Sequence, residues 1–438
     1  MLVLKFGGTS VGSPDRMQKV ANLVVNAPGR KIVVLSALSG TTNALTEISN
    51  FLQNGETAEA ENQITALESH YLQFSKNLFR TPPYQTLGDE IVSRHFSLIR
   101  LLAAGKFNDR SKRELLAQGE LLSTEFFHAH LNEREIKSRM LPALHFMTID
   151  EDSEPELEKI SERLMPLTDS LEKYEIIITQ GYICRNHKNE IDNLKRGGSD
   201  YTASLIGAAV RANEIQIWTD IDGMHNNDPR IVKDTFPIAS LTFDEASELA
   251  YFGAKILHPS TIVPAQKYNV PVRLKNTMDE KAAGTLISSD KSEEGIVRAI
   301  AAKDGITAIK IKSSRMLLAY GFLRRVFEVF EKNQTPIDMI STSEVAVSVT
   351  IDDNSAIKEI SDELNKFGTI EIDQNQTIIC IVGNKLANKE DVLKLIFNSL
   401  DAVPIRMVSF GGSRNNISLL VDTSYKDKAL ISLNEGLF

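Results

Sequence analysis

The chain has 438 residues, and its content of 42% hydrophobic and 24% charged residues is typical of a globular protein rather than a disordered one. The 49 basic and 58 acidic residues give a net charge of −9, which argues against nucleic acid as the main partner. No apolar run reaches the ~18 residues needed to cross a bilayer, and the N-terminus lacks the basic region of a signal peptide. Two cysteines exclude a disulfide framework, so we expect a cytoplasmic protein without membrane partners.

Apolar runs alternate with helical stretches over the first part of the chain, up to about residue 290. These runs are continuous and rich in Val and Ile, which is typical of parallel strands buried on both faces by helices. The interval 43–131 has the apolar spacing of helices and predicts a helical subdomain on an α/β sheet. The predicted strands are 2–6, 31–38, 175–183, 214–219 and 270–274.

The pattern changes after the polar segment 288–295, which predicts a linker. Residues 305–372 then have the βαββαβ order of a ferredoxin-like unit, and a second copy begins near residue 377 but lacks its last strand. We expect 296–302 to supply that strand. The predicted domains are a catalytic domain at 1–290, a linker and strand at 291–303, and two small units at 304–373 and 374–438.

The first two predicted strands both end in small residues that suit ligand binding. Lys5 precedes Gly7 and Gly8, and glycines at a strand-to-helix turn let backbone N–H groups approach an anion. A tight turn that needs flexible residues explains these glycines equally well, and neither the Walker nor the dinucleotide fingerprint is present. The second strand leads through Ser36 to Thr42, where hydroxyl groups either contact a ligand at the sheet edge or cap a helix.

The segment 194–204 carries the densest set of candidate residues. Arg196 suits bidentate recognition of a carboxylate or phosphate, and Gly197 and Gly198 permit close backbone approach. Ser199 or Asp200 could be a simple helix cap, but capping does not explain the Arg-Gly-Gly before them. We therefore favour a functional loop.

Thr219, Asp220 and Asp222 lie at and after the end of the predicted strand 214–219, and their side chains suit Mg²⁺ or a ribose hydroxyl as a ligand. Arg230, a little further along the chain, suits phosphate. The pair Asp222-Gly223 could equally form only a turn.

Two other residues are ambiguous on their own. Lys255 lies near a predicted helix end and, taken alone, is interpreted as a solvated lysine. Glu120 follows a glycine inside a predicted helix, and because glycine destabilises a helix, its presence invites a packing or ligand explanation. The alternative is an exposed glutamate. Cations, glycine turns and acids at one sheet edge together suggest phosphoryl transfer.

These segments together resemble the aspartate kinases of the amino acid kinase family. The two C-terminal units resemble ACT domains, and the segment 316–344 and the chain ending look most like the monofunctional, lysine-sensitive subtype. The matching segments cover almost the whole chain: KFGGTSV (5–11), LSALSGTTN (35–43), QGELLS (118–123), TQGYI (179–183), KRGGSDYTA (195–203), IWTDIDG (217–223), NDPR (227–230), FGAKILHP (252–259) and ISTSEVAVSVT (340–350).

The resemblance implies an amino acid kinase fold and ATP-dependent phosphorylation of the β-carboxylate of L-aspartate, with Mg²⁺, at the start of lysine, threonine and methionine biosynthesis. Lys5 and Asp200 would be catalytic, and no protein ligands to the metal are implied. The implied nucleotide contacts are Lys5, Phe6, Gly7, Gly8, Thr219, Asp220, His225, Arg230, Lys255 and Ile256. His225 stands where many relatives have Tyr. The implied substrate contacts are Ser36, Thr42, Glu120, Arg196, Gly198, Ser199 and Asp200, with Arg196 on a carboxylate and Glu120 on the ammonium group.

An inhibitory amino acid, by resemblance lysine, would bind the first ACT unit. The implied contacts are Met316, Tyr320, Gly321, Phe322, Leu323, Asp338, Ser343 and Glu344. Alternatively, these residues only shape an interface between ACT units, whose exposed edge strands favour a homodimer or a dimer of dimers. The rival functions are a kinase acting on glutamate or N-acetylglutamate, and a non-catalytic amino acid sensor. The combination of motifs argues against the first, and Lys5, Arg196 and Asp200 argue against the second.

Overall fold

The computed structural model describes residues 1–195, 197–252, 257–290, 295–313, 320–388 and 391–438. The chain divides into two compact units, of which the first contains 1–224 and 257–289 and the second contains 225–256 and 290–438. The strands are β1 (Leu2–Phe6), β2 (Lys31–Leu35), β3 (Ser138–Met140), β4 (Ile176–Gln180), β5 (Ile183–Arg185), β6 (Ile191–Asn193), β7 (Glu214–Thr219), β8 (Ser240–Thr242), β9 (Val272–Asn276), β10 (Thr285–Ser288), β11 (Val297–Lys312), β12 (Met339–Thr342), β13 (Ala346–Ile351), β14 (Thr369–Gly383), β15 (Ile405–Ser409) and β16 (Asn416–Asp422). The helices are α1 (Gly8–Val11), α2 (Pro14–Asn26), α3 (Thr41–Asn54), α4 (Thr57–Leu78), α5 (Pro82–Ala104), α6 (Asp109–Glu133), α7 (Leu157–Ser170), α8 (Gly198–Ala209), α9 (Phe243–Tyr251), α10 (Pro259–Lys267), α11 (Phe322–Lys332), α12 (Ile357–Leu364), α13 (Val392–Ser399) and α14 (Lys426–Leu437).

The first unit is built on a mostly parallel sheet, as its continuous apolar runs predict. Within this unit the strand order is β3-β4-β2-β1-β7-β9-β10, and β10 runs antiparallel to β9. Phe6 on β1 lies in register with Leu35 on β2 and with Trp218 on β7, and Leu35 lies in register with Gln180 on β4. The carboxyl ends of these strands therefore meet at one edge, where ligands bind in open α/β sheets.

Two predicted strands prove to be too long. The run predicted at 31–38 ends as a strand at Leu35, and the run predicted at 175–183 is interrupted after Gln180. Tyr182 has φ +66°, a left-handed conformation that a regular strand does not accommodate. Both interruptions place turns at the carboxyl edge of the sheet.

The interval predicted to be helical contains α3, α4, α5 and α6. Their apolar faces pack into a core in which Tyr71, Phe96 and Phe126 are fully buried. Burying one such aromatic side chain stabilises the fold by about 1.5–3 kcal/mol. This helical layer fixes α6, which carries Glu120, against the strand ends.

The second unit contains a six-stranded antiparallel sheet with the order β12-β13-β11-β14-β16-β15. Helices α11 and α12 bury their apolar sides against one half of the sheet, and α13 and α14 bury theirs against the other. Each half has the strand order of a ferredoxin-like βαββαβ unit. The two halves share β11 and β14, because both strands run through the whole sheet.

The sequence predicts breaks in these two long strands, near residues 303–305 and 373–376. The strands instead continue through irregularities, with register shifts on β11 between Lys303 and Ile306 and between Ile306 and Ala308. Gly305 and Asn375 have positive φ, as is common where extra residues are accommodated in a ladder. The polar residues that resemble turns in the sequence therefore form β-bulges within β11 and β14. Residues 297–303 pair with 378–383, which gives the second half its fourth strand.

Residues 225–256 fold with this second unit and include β8 and α9. Val232 belongs to the same core as Leu430 and Leu433 of α14. In the part of the chain that the structure describes, no helix has both the length and the apolar character required to cross a membrane.

Candidate active site

Lys5 lies at the end of β1, the central strand of the carboxyl edge. Its Nζ forms an ion pair with Asp200 Oδ1 at 2.7 Å, and the Lys5 side chain is 11% exposed. Strand β1 pairs in register with both β2 and β7, which fixes the backbone from which the Lys5 side chain extends. A partly shielded ion pair at this edge places one positive charge where an anionic ligand can approach.

Asp200 lies in the first turn of α8, which begins at Gly198 with Gly197 as its N-cap, and both glycines have a left-handed conformation. Gly197 has φ +66° and Gly198 has φ +46°, so larger residues would be strained at both positions. Gly181 is also required, because a Cβ there would lie 2.3 Å from the Ser199 side chain. The sequence Gly-Gly-Ser-Asp therefore brings Gly198, Ser199 and Asp200 up to the strand ends.

Glu120 comes from α6 and is buried at the same edge. Its Oε1 accepts a hydrogen bond from Ala37 N–H at 3.2 Å. Its Oε2 is buried and has no hydrogen-bond partner among the described residues. Burial raises the pKa of Glu120 to about 8. Gly119 permits this approach, because a Cβ there would lie 2.8 Å from Ala37 Cβ.

The turn after β1 is as compact as the glycines predict. A Cβ on Gly8 would lie 2.9 Å from the Ala37 carbonyl oxygen, and one on Gly7 would lie 3.3 Å from Lys5 Nζ. Phe6 is fully buried and stacks on Trp218 at 5.7 Å. Its side chain is part of the core, which leaves only backbone groups of Phe6 for the implied nucleotide contact.

Ser36 and Thr42 flank the turn between β2 and α3. Ser36 N–H donates to the Phe6 carbonyl at 3.2 Å, and its own carbonyl accepts from Ser123 Oγ at 2.7 Å. The Ser36 side chain is half-buried and the Thr42 side chain is exposed. Both hydroxyl groups are located at the carboxyl edge, as the sequence predicts.

Thr219 and Asp220 follow β7 at the same edge. Thr219 Oγ1 donates to Asp220 Oδ1 at 3.0 Å, and the Thr219 carbonyl accepts from Thr277 N–H at 2.8 Å. Asp220 is exposed. Lys275 Nζ on β9 lies 4.8 Å from the centroid of the Trp218 ring, which adds a cation that the sequence analysis missed.

His225 and Arg230 belong to the second unit. His225 Nδ1 lies 3.1 Å from Thr235 Oγ1. The Arg230 side chain is exposed, and its Nε and Nη2 donate to Asp228 at 2.9 and 2.6 Å. These hydrogen bonds hold the pKa of Asp228 below its usual range. Asp228 thus orients the guanidinium group of Arg230.

The residues implied for an inhibitor divide into two kinds. Tyr320 is fully exposed and Leu323 is partly exposed, whereas Phe322 is buried in the core of the first ACT-like half. The buried Phe322 ring packs edge-on against Phe367, so it supports the implied inhibitor residues from the core side. Gly321 has φ +80° at the start of α11, where a glycine is favoured.

Asp338 already forms an ion pair with a lysine of this chain. Its Oδ1 accepts from Lys303 Nζ at 2.8 Å, and Lys303 also pairs with Asp352 at 2.8 Å. Asp338 Oδ2 is buried without a partner among the described residues, and burial raises the pKa of this carboxyl. Ser343 closes the β12–β13 turn by accepting from Ala346 N–H at 3.2 Å, and Glu344 is exposed.

Four implied contacts, Arg196, Lys255, Ile256 and Met316, lie outside the described residues.

Comparison with known proteins now identifies the family. The model of the "amino acid kinase family" matches residues 1–276, and an "ACT domain" model matches 309–360 and 379–437. Lysine-sensitive aspartokinase 3 of Escherichia coli is 32% identical over 100% of this chain and 99% of its own length. The chain belongs to the aspartokinase family.

Two solved structures of E. coli aspartokinase III agree with this family over the full chain. The complex with aspartate and ADP in the R-state has a TM-score of 0.86, with 31% identity and 100% coverage of both chains. The complex with lysine and aspartate in the T-state has a TM-score of 0.84, with 31% identity and coverage of 100% and 99%. The expected fold, with an amino acid kinase unit and ACT-type halves, is confirmed.

Tyr182 lies beside this candidate site and, like Lys275, is absent from the candidate set. Its ring approaches Gly198, where a Cβ would lie 3.9 Å from Tyr182 Cδ2. Burial, with the charge of Glu120 as a smaller cause, raises the pKa of Tyr182 to about 12. Tyr182 also lines a cavity of about 410 Å³ with Arg113 and Asn193, whose amide atoms have no partner among the described residues. The sequence signal for Tyr182 is its place in TQGYI (179–183), one of the motifs that carry the resemblance.

Proposed function

We propose that this chain transfers the γ-phosphoryl group of ATP to the β-carboxylate of L-aspartate. The observation that carries the proposal is the Lys5–Asp200 ion pair at the same sheet edge as the buried Glu120 carboxyl. The relatives with aspartokinase names and the E. coli complex with aspartate and ADP support the same reaction. A cation for a phosphoryl group and an acid for an ammonium group are the two features that the reaction needs.

The transfer forms a bond between a β-carboxylate oxygen and the γ-phosphorus and breaks the bond to the β,γ-bridging oxygen, whose electron pair leaves with ADP. Such a step depends on positioning and on stabilising the charge of the transferred group. Lys5 would meet that charge, and Asp200 would keep Lys5 in place. Glu120 Oε2 would accept the aspartate ammonium group, and Arg196 would pair with a carboxylate.

The nucleotide would lie against Gly7 and Gly8 and be contacted by Thr219, Asp220 and Arg230. Mg²⁺ would accompany it and neutralise phosphate charge. The described residues contain no group of three or more acidic, His or Cys side chains that could hold a metal ion. Asp220, which is exposed, would supply a single carboxylate contact to the ion.

For regulation, we propose inhibition by lysine at the first ACT unit, since the E. coli relative is lysine-sensitive and a structure of it contains lysine. Asp338 Oδ2 would accept the inhibitor's ammonium group while Oδ1 stays with Lys303. We also propose a homodimer or dimer of dimers. Both cysteines are buried thiols without a disulfide, which supports a cytoplasmic location.

The test is coupled ADP release with ATP, Mg²⁺ and L-aspartate, with lysine or threonine added separately. We expect turnover with aspartate and inhibition by lysine. Turnover only with glutamate or N-acetylglutamate would overturn the substrate, and inhibition by threonine alone would overturn the assigned inhibitor. An absence of ADP release with every amino acid would favour a sensor.

A further inference from the structure

The segment that follows β7 contains two consecutive asparagines that are buried. Asn226 is 0% exposed and Asn227 is 3% exposed, although a run of polar residues in a connecting segment is normally solvated. Buried amides need hydrogen-bond partners, because an unpaired one is costly. The same segment carries His225 and Arg230, which are two of the implied nucleotide contacts.

Both asparagines donate to one oxygen on the last helix. Asn226 Nδ2 donates to Asn434 Oδ1 at 3.1 Å, and Asn227 Nδ2 donates to the same atom at 3.3 Å. Asn227 Nδ2 also lies 3.0 Å from the Leu430 carbonyl oxygen. Because an amide oxygen has two lone pairs, Asn434 can satisfy both donors at once.

The side-chain oxygen atoms of Asn226 and Asn227 accept hydrogen bonds from backbone N–H groups of the same segment. Asn226 Oδ1 accepts from Phe236 N–H at 2.8 Å, and Asn227 Oδ1 accepts from Asp228 N–H at 2.9 Å. Asp228 in turn accepts from the backbone N–H of Arg230 at 3.0 Å and from its guanidinium group. A continuous set of hydrogen bonds thus runs from α14 to the Arg230 side chain.

Apolar contacts reinforce the same attachment. Val232 is buried in one core with Leu430 and Leu433 of α14, and the Phe236 ring packs edge-on against Phe438 at 5.8 Å. These contacts, with the Asn227–Leu430 hydrogen bond, keep the segment on α14 when both hydrogen bonds to Asn434 are removed, so a variant of Asn434 should shift the segment without unfolding the unit.

We propose that Asn434 is a positioning residue for the nucleotide, because its Oδ1 holds Asn226 and Asn227 and thereby sets the Arg230 guanidinium through Asp228. The inference rests on the proposed function, since that function assigns Arg230 to the nucleotide. It predicts an effect on nucleotide binding from a side chain that does not itself contact the ligand.

The test compares Asn434→Ala with Asn434→Asp, which keeps an oxygen acceptor for both amide donors. Glu435→Gln is the matched control, because Glu435 is exposed on the same helix. Losing a shared acceptor of two buried donors is expected to raise the KM for ATP about tenfold in Asn434→Ala, with kcat and the KM for aspartate within about twofold. Asn434→Asp should recover most of the loss, and Glu435→Gln should match the wild type.

Calorimetric titration with ADP and Mg²⁺ gives a second readout that needs no acceptor substrate. ADP affinity should fall by the same factor as the KM for ATP rises. A wild type that binds ADP but does not turn over aspartate would refute the proposed substrate, while the ADP affinities of the variants would still test Asn434.

Unchanged ADP affinity in a folded Asn434→Ala protein would overturn the inference. An equal loss of kcat and of both affinities, in step with a lower melting temperature, would also overturn it. If Asn434→Ala does not fold, Asn227→Asp replaces it, because this variant keeps the acceptor for Asp228 N–H and removes the donor to α14. The same tenfold loss is expected there, and its absence is again contradictory.

Discussion

Glu120→Gln is expected to weaken aspartate binding and to remove a pH dependence that the wild type shows. Glu120 is 4% exposed, and burial raises its pKa to about 8 from an ordinary value of 4.5. Only the ionised carboxylate attracts an ammonium group. Between pH 7 and pH 8.5 the ionised fraction rises from about one-tenth to about three-quarters, so aspartate affinity should rise about eightfold in the wild type.

The assay is the KM for aspartate at saturating ATP across this pH range, with the KM for ATP as the internal control. Calorimetry of aspartate binding in two buffers of different ionisation heat measures the protons that are released. At pH 7 the Glu120 carboxyl of the wild type should release about 0.9 proton per aspartate bound, and Glu120→Gln should release none from this position. The variant should bind aspartate at least tenfold more weakly at pH 8.5, since a charged hydrogen bond contributes about 1.5–3 kcal/mol.

The same pKa shift makes a stability prediction of defined sign. Because the folded-state pKa is raised, the folded protein binds the extra proton between about pH 4.5 and pH 8. The stability from Glu120 is therefore fully present below the unfolded pKa and is lost progressively as the pH rises from about 4.5 to about 8, with an upper limit of about 5 kcal/mol. Glu120→Gln should gain stability relative to the wild type over this window in chemical denaturation. A flat KM for aspartate in the wild type, or an equal pH slope in the variant, would refute the reasoning.

Three other substitutions test separate parts of the structure. Lys5→Met should lower kcat by about 10²–10³, because it removes a preorganised charge, and steady-state kinetics at saturating ATP checks this. Gly119→Ala should cost about 1–3 kcal/mol of unfolding free energy and raise the KM for aspartate, because its Cβ would lie 2.8 Å from Ala37 Cβ. Gly105→Ala, whose Cβ would meet nothing closer than 3.7 Å, is the control, and an equal effect in both variants would contradict the packing argument. Asp338→Asn should raise the lysine concentration for half-inhibition at least about tenfold, and unaltered inhibition curves would remove Asp338 from the inhibitor site.

The carboxyl edge of the sheet was predictable because it depends on local patterns. Continuous Val and Ile runs predict buried parallel strands, and the glycines after them predict close turns. The structure accordingly places Lys5, Ser36 and Thr219 at one edge. The roles of individual residues there stay predictions until the kinetic tests are made.

Other features depend on residues far apart in the chain and have no local signal. The glycine before Glu120 already suggests a packing or ligand role, but the raised pKa of Glu120 follows from burial against Ala37, 83 residues away. Phe6 and Phe322 lie within motifs of implied binding residues, yet both side chains are buried in cores. Asp304-Gly305 resembles a break between strands but is accommodated inside β11.

By itself, the sequence determined the family through its resemblance to known motifs, and its periodicity predicted the parallel sheet and the repeated C-terminal units. The glycines and polar residues after the predicted strands also predicted the loops at which the candidate ligand-binding residues are concentrated. Only the tertiary structure decided which polar groups are desolvated and which distant groups meet. The attachment of Asn226 and Asn227 to Asn434 joins residues more than 200 positions apart. Such contacts depend on how packed elements meet in space, and burial then sets both the need for hydrogen-bond partners and the direction of each pKa shift.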